Sequence, residues 1–215
     1  MSARRAALFA PDDPRSRPAR LLSLTGQALA LLRLPPAAIL FYAKALRQGR
    51  KRGDTVSLAI AARPRELVEL LRAARGATAV AEVGTGTGWT AIVLALADRA
   101  RRIHSFDVRE HDGRSAYLQL APAQARARLE LAVRDGREGP PADLPELDFL
   151  FIDSSHELEE TVTTFRLWSA RLRPGGTVAF HDYDNEHYPG VAQAVAQLGR
   201  DGEERAGMYL WRKPA

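Results

Sequence analysis

The chain of 215 residues contains no cysteine, and that absence removes three kinds of chemistry at once. No disulfide framework, zinc–thiolate site or thiol nucleophile can be built, and a reducing, cytoplasmic setting is the expectation. Long apolar runs are missing too. The most apolar stretch, Leu21 to Leu46, is broken by Gly26, Gln27, Arg33 and the pair Pro35-Pro36, so neither half reaches the ~20 apolar residues of a membrane span. The first 20 residues hold five Arg and three Pro in place of the compact apolar core of a secretory signal, and they read as a disordered basic tail. Acidic residues are scarce in the N-terminal third: residues 1–65 carry thirteen Lys or Arg against three Asp, whereas the remainder carries eighteen against twenty-three. Such a segment can meet an anionic partner, a membrane surface or RNA. No RNA-binding module accompanies it, and only Phe9, Phe41 and Tyr42 are there to stack on bases. A solvated extension is the plainer reading, and a nucleic-acid partner is not expected.

What is present is the balance of an ordinary globular domain, with 46% hydrophobic and 27% charged residues, enough to bury a core without staples. Residues 21–75 read as a helical cap or extension. Helices are expected over Leu21–Leu34 and Ala37–Gln48, divided by the prolines, then a basic turn at Gly49–Gly53 and a helix over Arg65–Ala74 with Pro64 in its first turn. The apolar residues of Leu21–Leu46 are grouped too densely to be left in water, so a lid or a subunit contact, and with it a homo-oligomer, is their expected fate. The nearby arginines leave contact with a membrane surface open. From residue 76 to 215 short apolar runs alternate with helical stretches, the pattern of βαβ units on a parallel sheet. Strands are expected at Ala79–Val83, Arg102–Phe106, Leu129–Val133, Leu147–Ile152 and Thr177–His181, and helices at Trp89–Asp98, Arg114–Gln119, Leu158–Leu172 and Val191–Leu198. Met208–Arg212 closes the sheet as an antiparallel strand at or near an edge.

The most informative motif is Glu82-Val83-Gly84-Thr85-Gly86-Thr87-Gly88-Trp89, between the first strand and its helix. Its glycines let the backbone turn sharply and let a ligand approach amide groups at a helix start. A dinucleotide fingerprint, G-x-G-x-x-G, would need glycine where Trp89 stands, so a nicotinamide site is not indicated. Asp107 ends the second strand 21 residues after Gly86, where folds of this kind use a carboxylate to accept ribose hydroxyls. Asp135 follows the third strand in an Asp-Gly turn.

An acidic residue leading into G-x-G-x-G resembles the first motif of the Rossmann-like S-adenosylmethionine methyltransferases. Asp148-Phe149-Leu150-Phe151-Ile152-Asp153 and Leu172-Arg173-Pro174-Gly175-Gly176-Thr177 resemble that family's fourth-strand motif and the turn before its fifth strand. The runs Phe151 to His156, Phe180-His181-Asp182-Tyr183 and Pro189-Gly190-Val191 are similar to the branch of small-molecule O-methyltransferases that includes macrolide-sugar enzymes. The resemblance spans residues 79–212. It implies an α/β fold of about seven mostly parallel strands with an antiparallel edge strand and helices on both faces. It also implies S-adenosylmethionine bound by Glu82, Gly84, Thr85, Gly86, Gly88, Trp89, Asp107, Asp135 and Asp153, with the adenine amino group at Asp135.

Methyl transfer from a sulfonium requires an aligned nucleophile and, for a hydroxyl, removal of its proton. His156, three residues past Asp153 at the carboxyl end of a central strand, is the expected base, with Asp153 beside it. Asp153 and Asp182 end neighbouring strands and, with His181, are the candidate ligands of a divalent ion, magnesium or manganese. Where the macrolide-sugar enzymes have Glu-Asp this chain has His181-Asp182, and a nitrogen ligand favours softer ions than magnesium. The expected reaction is O-methylation of a small natural product or sugar. Two alternatives stay open at this level: an RNA methyltransferase docking through the basic segment, and a cofactor-binding module without turnover.

Overall fold

The computed structural model describes residues 25–215; the expected basic tail and the start of the first helix lie outside them. Seven strands form one sheet in the order β3-β2-β1-β4-β5-β7-β6: β1 (Ala79–Val83), β2 (Arg102–Asp107), β3 (Leu129–Val133), β4 (Leu147–Ile152), β5 (Leu172–Phe180), β6 (Glu203–Arg205) and β7 (Met208–Arg212). β1 to β5 run parallel, and β7 pairs antiparallel with β5 and with β6. β1 and β4 read as nearly unbroken apolar runs because both faces of the sheet are covered by helices; Val80, Phe149, Leu150 and Phe151 are fully buried. The chain winds outward from β1 in both directions, so the β1/β4 junction is the switch point beside which ligands sit in open α/β sheets.

The helices are α1 (residues 25–31), α2 (Pro36–Arg52), α3 (Thr55–Ile60), α4 (Pro64–Ala73), α5 (Trp89–Ala97), α6 (Arg114–Leu118), α7 (Ala123–Arg126), α8 (Leu158–Trp168) and α9 (Pro189–Leu198). The expected basic turn at Gly49–Gly53 is instead the last turn of α2. Arg50, Lys51 and Arg52 lie there, where cations meet the negative end of the helix, and Gly53 closes it with φ 64°. α3 was not anticipated. Six residues are too few to show a period, and its stop and start signals are carried by Asp54, whose side chain accepts from the Ser57 N–H at 2.9 Å. The helix expected through Leu172 ends at Trp168 in a short 3₁₀ turn, because Leu172 already pairs with Leu147 of β4. β6 was also missed, since Glu203, Glu204 and Arg205 are all exposed and carry no apolar alternation.

α2 is not a loose appendage. Phe41 and Tyr42 bury against Trp89 of α5, edge-on at 6.2 and 5.6 Å between ring centres, and Tyr117 closes on Trp89 from the other side at 5.2 Å. Full burial of one such ring contributes about 1.5–3 kcal/mol, so this aromatic group fixes the N-terminal helices beside the glycine turn.

Candidate functional site

The turn after β1 is shaped by close backbone approach. Gly84 adopts φ 108°, and a side-chain carbon there would lie 1.9 Å from the Asp153 carbonyl oxygen, so nothing larger than glycine fits. The Gly84 N–H donates to Phe106 O at 2.7 Å and the Asp153 N–H to Val83 O at 2.8 Å, which ties the turn to the ends of both neighbouring strands. Gly86 and Gly88 also have positive φ, 54° and 83°. The resulting loop edges a cleft of about 790 Å³ that runs past Thr85, Asp107, Asp135, Asp153 and His156.

Asp107 lines that cleft while holding the loop: its Oδ2 accepts from the Gly86 N–H at 2.7 Å, with His111 and Arg114 at 3.4 and 3.6 Å. Arg114, buried and overlooked in the sequence, donates to Gly86 O at 2.9 Å. Asp135 also borders the cleft. The Arg137 guanidinium and N–H hold its carboxyl below the usual carboxylate range. Glu82 does not reach the cleft surface. It is fully buried behind the loop, where Ser105 Oγ donates to its Oε2 and also bonds Thr85 Oγ1 at 2.7 Å. Burial pushes the Glu82 carboxyl up to about 8; the Ser105 hydrogen bond opposes this, and the charges of Asp153 and Asp107 add to it. Trp89 borders the cleft with its ring mostly committed to the aromatic group on α2 and α6. α3 supplies the facing wall through Val56, Ala59 and Ile60.

At the carboxyl ends of β4 and β5 the structure gathers Asp153, His156, His181 and Asp182, with one ligating atom from each within 4.8 Å of the others. His156 Nε2 lies 3.1 Å from both Asp153 Oδ1 and Asp182 Oδ2, and His181 Nδ1 lies 2.9 Å from Asp153 Oδ1. His156, the expected base, is therefore one corner of a cluster that includes Asp153. Burial opposes charge on Asp153, His156 and His181, and pairing within the cluster outweighs it. Asp153 is drawn down to about 2 by His181 and His156, His156 is raised to about 9 by hydrogen bonds to Asp153 and Asp182, and His181 is raised well above its ordinary value, chiefly by the Asp153 charge. Glu66 of α4 is a neighbour that no motif or spacing signals. Its Oε2 sits 3.3 Å from His181 Nε2 and accepts the Arg63 N–H at 2.7 Å.

Comparison with known proteins fits this geometry. Residues 81–183 match the family model of a methyltransferase domain. No curated protein matches the chain. Among solved structures the fold is similar to that of TomG, an O-methyltransferase from Streptomyces achromogenes in complex with S-adenosylmethionine (TM-score 0.58, 20% identity, 84% of this chain and 91% of that one). It is similar to CalS11, a TDP-rhamnose 3'-O-methyltransferase of calicheamicin biosynthesis (TM-score 0.56, 20% identity, 92% and 96%). It also resembles MycE from mycinamycin biosynthesis, solved with magnesium, S-adenosylhomocysteine and mycinamycin VI (TM-score 0.51, 14% identity, 68% and 48%). Together the sheet order and these likenesses define the fold, that of the Rossmann-like methyltransferases, and residues 81–183 are the segment that resembles a methyltransferase domain.

Proposed function

We propose that this enzyme transfers the methyl group of S-adenosylmethionine to a hydroxyl of a small molecule, a natural product or a sugar. One observation carries the reading: a single cleft joins the glycine loop and Asp107 to Asp153 and His156, so a cofactor site and a proton-handling cluster open into the same space. The residues fit the cofactor. Glycine backbone lies where a side chain would close the turn, and carboxylates stand at two places along one wall. Bound there, S-adenosylmethionine supplies an electrophilic methyl group on a sulfonium. Asp107 would receive the ribose hydroxyls, and the acceptor would lie between α3 and His156. The apolar side chains of α3 exclude water and orient the acceptor's carbon skeleton, while the cluster draws the proton from its hydroxyl. A divalent cation would be held by the cluster that contains Asp153, His181 and Asp182 and would lower the hydroxyl's pKa. TomG and CalS11, which the chain matches over most of its length, are O-methyltransferases by name, and this supports a hydroxyl acceptor.

The test has two stages. Calorimetry with S-adenosylmethionine, and with NAD as control, is expected to show binding of the former alone. A methyl-transfer screen against phenols, sugars and RNA is then expected to score among the small hydroxyl compounds. Transfer confined to RNA would overturn the acceptor class.

A further inference from the structure

The four side chains at the ends of β4 and β5 have a donor chemistry that differs from an oxygen-only magnesium site. Going round the cluster, the separations between neighbouring atoms are 2.9 Å from Asp153 Oδ1 to His181 Nδ1, 3.4 Å from His181 Nδ1 to Asp182 Oδ2, 3.1 Å from Asp182 Oδ2 to His156 Nε2 and 3.1 Å from His156 Nε2 back to Asp153 Oδ1. Nitrogen and oxygen alternate around a closed ring. Metal–ligand bonds of about 2.0–2.2 Å place neighbouring ligand atoms roughly 2.8–3.1 Å apart at right angles and roughly 3.3–3.6 Å apart at tetrahedral angles, and the four separations fall across these two ranges.

We infer that Asp153, His156, His181 and Asp182 form a mixed nitrogen–oxygen centre for a transition-type divalent cation, such as zinc or cobalt, in preference to magnesium, with Glu66 as the residue that positions His181. The use of that centre in methyl transfer rests on the function proposed above; the binding itself does not.

Three further observations support it. First, magnesium holds to octahedral oxygen ligands and its own waters, whereas half of this ring is imidazole, a donor suited to zinc, copper, iron and nickel. Two carboxylates and a dication also sum to zero charge, which suits a buried place. Second, the ring is prearranged by unusual backbone. Among the described residues the non-glycine positions with φ in the left-handed region are His156 at 65°, Asp182 at 57° and Ala206 at 49°, so two of the three belong to the ring. Conformations of this kind collect at functional sites because the surroundings must enforce them. Here the enforcement is visible: the His156 ring stacks on Tyr188 at 4.4 Å and 22°, and a side-chain carbon at Gly190 would strike His156 O at 2.5 Å. Third, the outward nitrogen of His181 faces a carboxylate. Glu66 Oε2 lies 3.3 Å from His181 Nε2, so with a cation in the ring it would accept the Nε2–H of the tautomer whose Nδ1 faces that cation. Such a carboxylate–imidazole pair orients a metal-binding histidine and raises its basicity. Glu66 is itself anchored by the Arg63 N–H at the start of α4.

The test uses the full chain, stripped with a chelator and dialysed, and titrated with zinc, cobalt, manganese and magnesium alone. Zinc and cobalt are expected to bind one per chain at least about 100-fold tighter than magnesium, with cobalt developing a visible absorption band. His156→Ala and His181→Ala, checked for folding by circular dichroism, should lose or displace that band; if His181→Ala fails to fold, His156→Ala decides alone. Glu66→Ala should weaken cobalt binding about 10- to 100-fold, and Glu66→Gln, which keeps an acceptor for both N–H groups, should lose less. Magnesium bound as tightly as zinc, no cation bound at millimolar concentration, or an unchanged band in the folded histidine variants would each overturn the centre, the second leaving an ion-pair cluster in its place. S-adenosylmethionine binding on the same stripped protein separates the two readings. Cofactor that binds while no cation binds in the titrations overturns only the centre. Cation bound without cofactor overturns only the proposed function.

Discussion

Asp107 holds the glycine loop and, in the function proposed above, also receives the ribose, so its removal should expose both roles. Its carboxylate already accepts the Gly86 N–H, and a bound ribose would add hydrogen bonds to the same charged group. Asp107→Ala is expected to weaken S-adenosylmethionine binding by about 1.5–3 kcal/mol, read by calorimetry; unchanged affinity would remove the ribose assignment. At the other end of the cleft, His156→Ala should lower turnover on the true acceptor by roughly 10²- to 10⁴-fold with little change in cofactor affinity, and a near-native rate would take the cluster out of proton handling. Glu82 gives a prediction about pH. Its carboxyl sits at about 8 in the fold against 4.5 when solvated. Below the lower value both states hold the proton, and between the two the folded protein keeps a proton that the unfolded chain has released. Stability should therefore fall as pH rises from about 4.5 to 8 and then level off. Glu82→Gln should flatten that dependence in thermal melts across the same range, and an unaltered slope would assign it to other groups.

The elements differ in how openly the sequence announced them. β1 and β4 were legible because fully buried strands are apolar throughout, and α5 because a glycine turn precedes it. The cofactor loop, Asp107 and the strand-end pair Asp153 and Asp182 follow from spacing relative to those strands. α3 and Glu66 do not. α3 owes its existence to one capping aspartate, Asp54, which Ser57 Oγ and the Tyr117 hydroxyl also contact at 2.6 and 2.7 Å. Glu66 meets His181 across 115 positions of sequence, a pairing that only the packing of α4 against the sheet creates. The docking of α2 was similarly hidden, since an apolar stretch does not say what covers it. Phe41 is 2% exposed, and Phe41→Ala should cost about 3–5 kcal/mol in denaturant unfolding. A loss below 1 kcal/mol would show that α2 docks without that ring.

At the scale of the molecule, the basic N-terminal third of the sequence also exposes, among its described residues, the apolar side chains of Leu29, Leu32, Leu40 and Val56. No helix among the described residues is long and apolar enough to cross a membrane. Val56, which lies outside the stretch Leu21–Leu46 anticipated as a lid or subunit contact, borders the cleft. Sedimentation with anionic vesicles at physiological salt is expected to leave the protein in the supernatant. Strong co-sedimentation that is abolished by salt would move the partner to the membrane surface.

The contact between Gly84 and the Asp153 carbonyl is made by backbone on both sides, and it works as a fixed ruler. The distance from the cofactor turn to the strand end that carries the cluster is set without reference to any side chain in the acceptor pocket. Val56, Ala59 and Ile60 on α3 stand outside that ruler. In the function proposed above, the wall that meets the acceptor can therefore be recut for a different substrate while the reach between methyl donor and cluster stays the same.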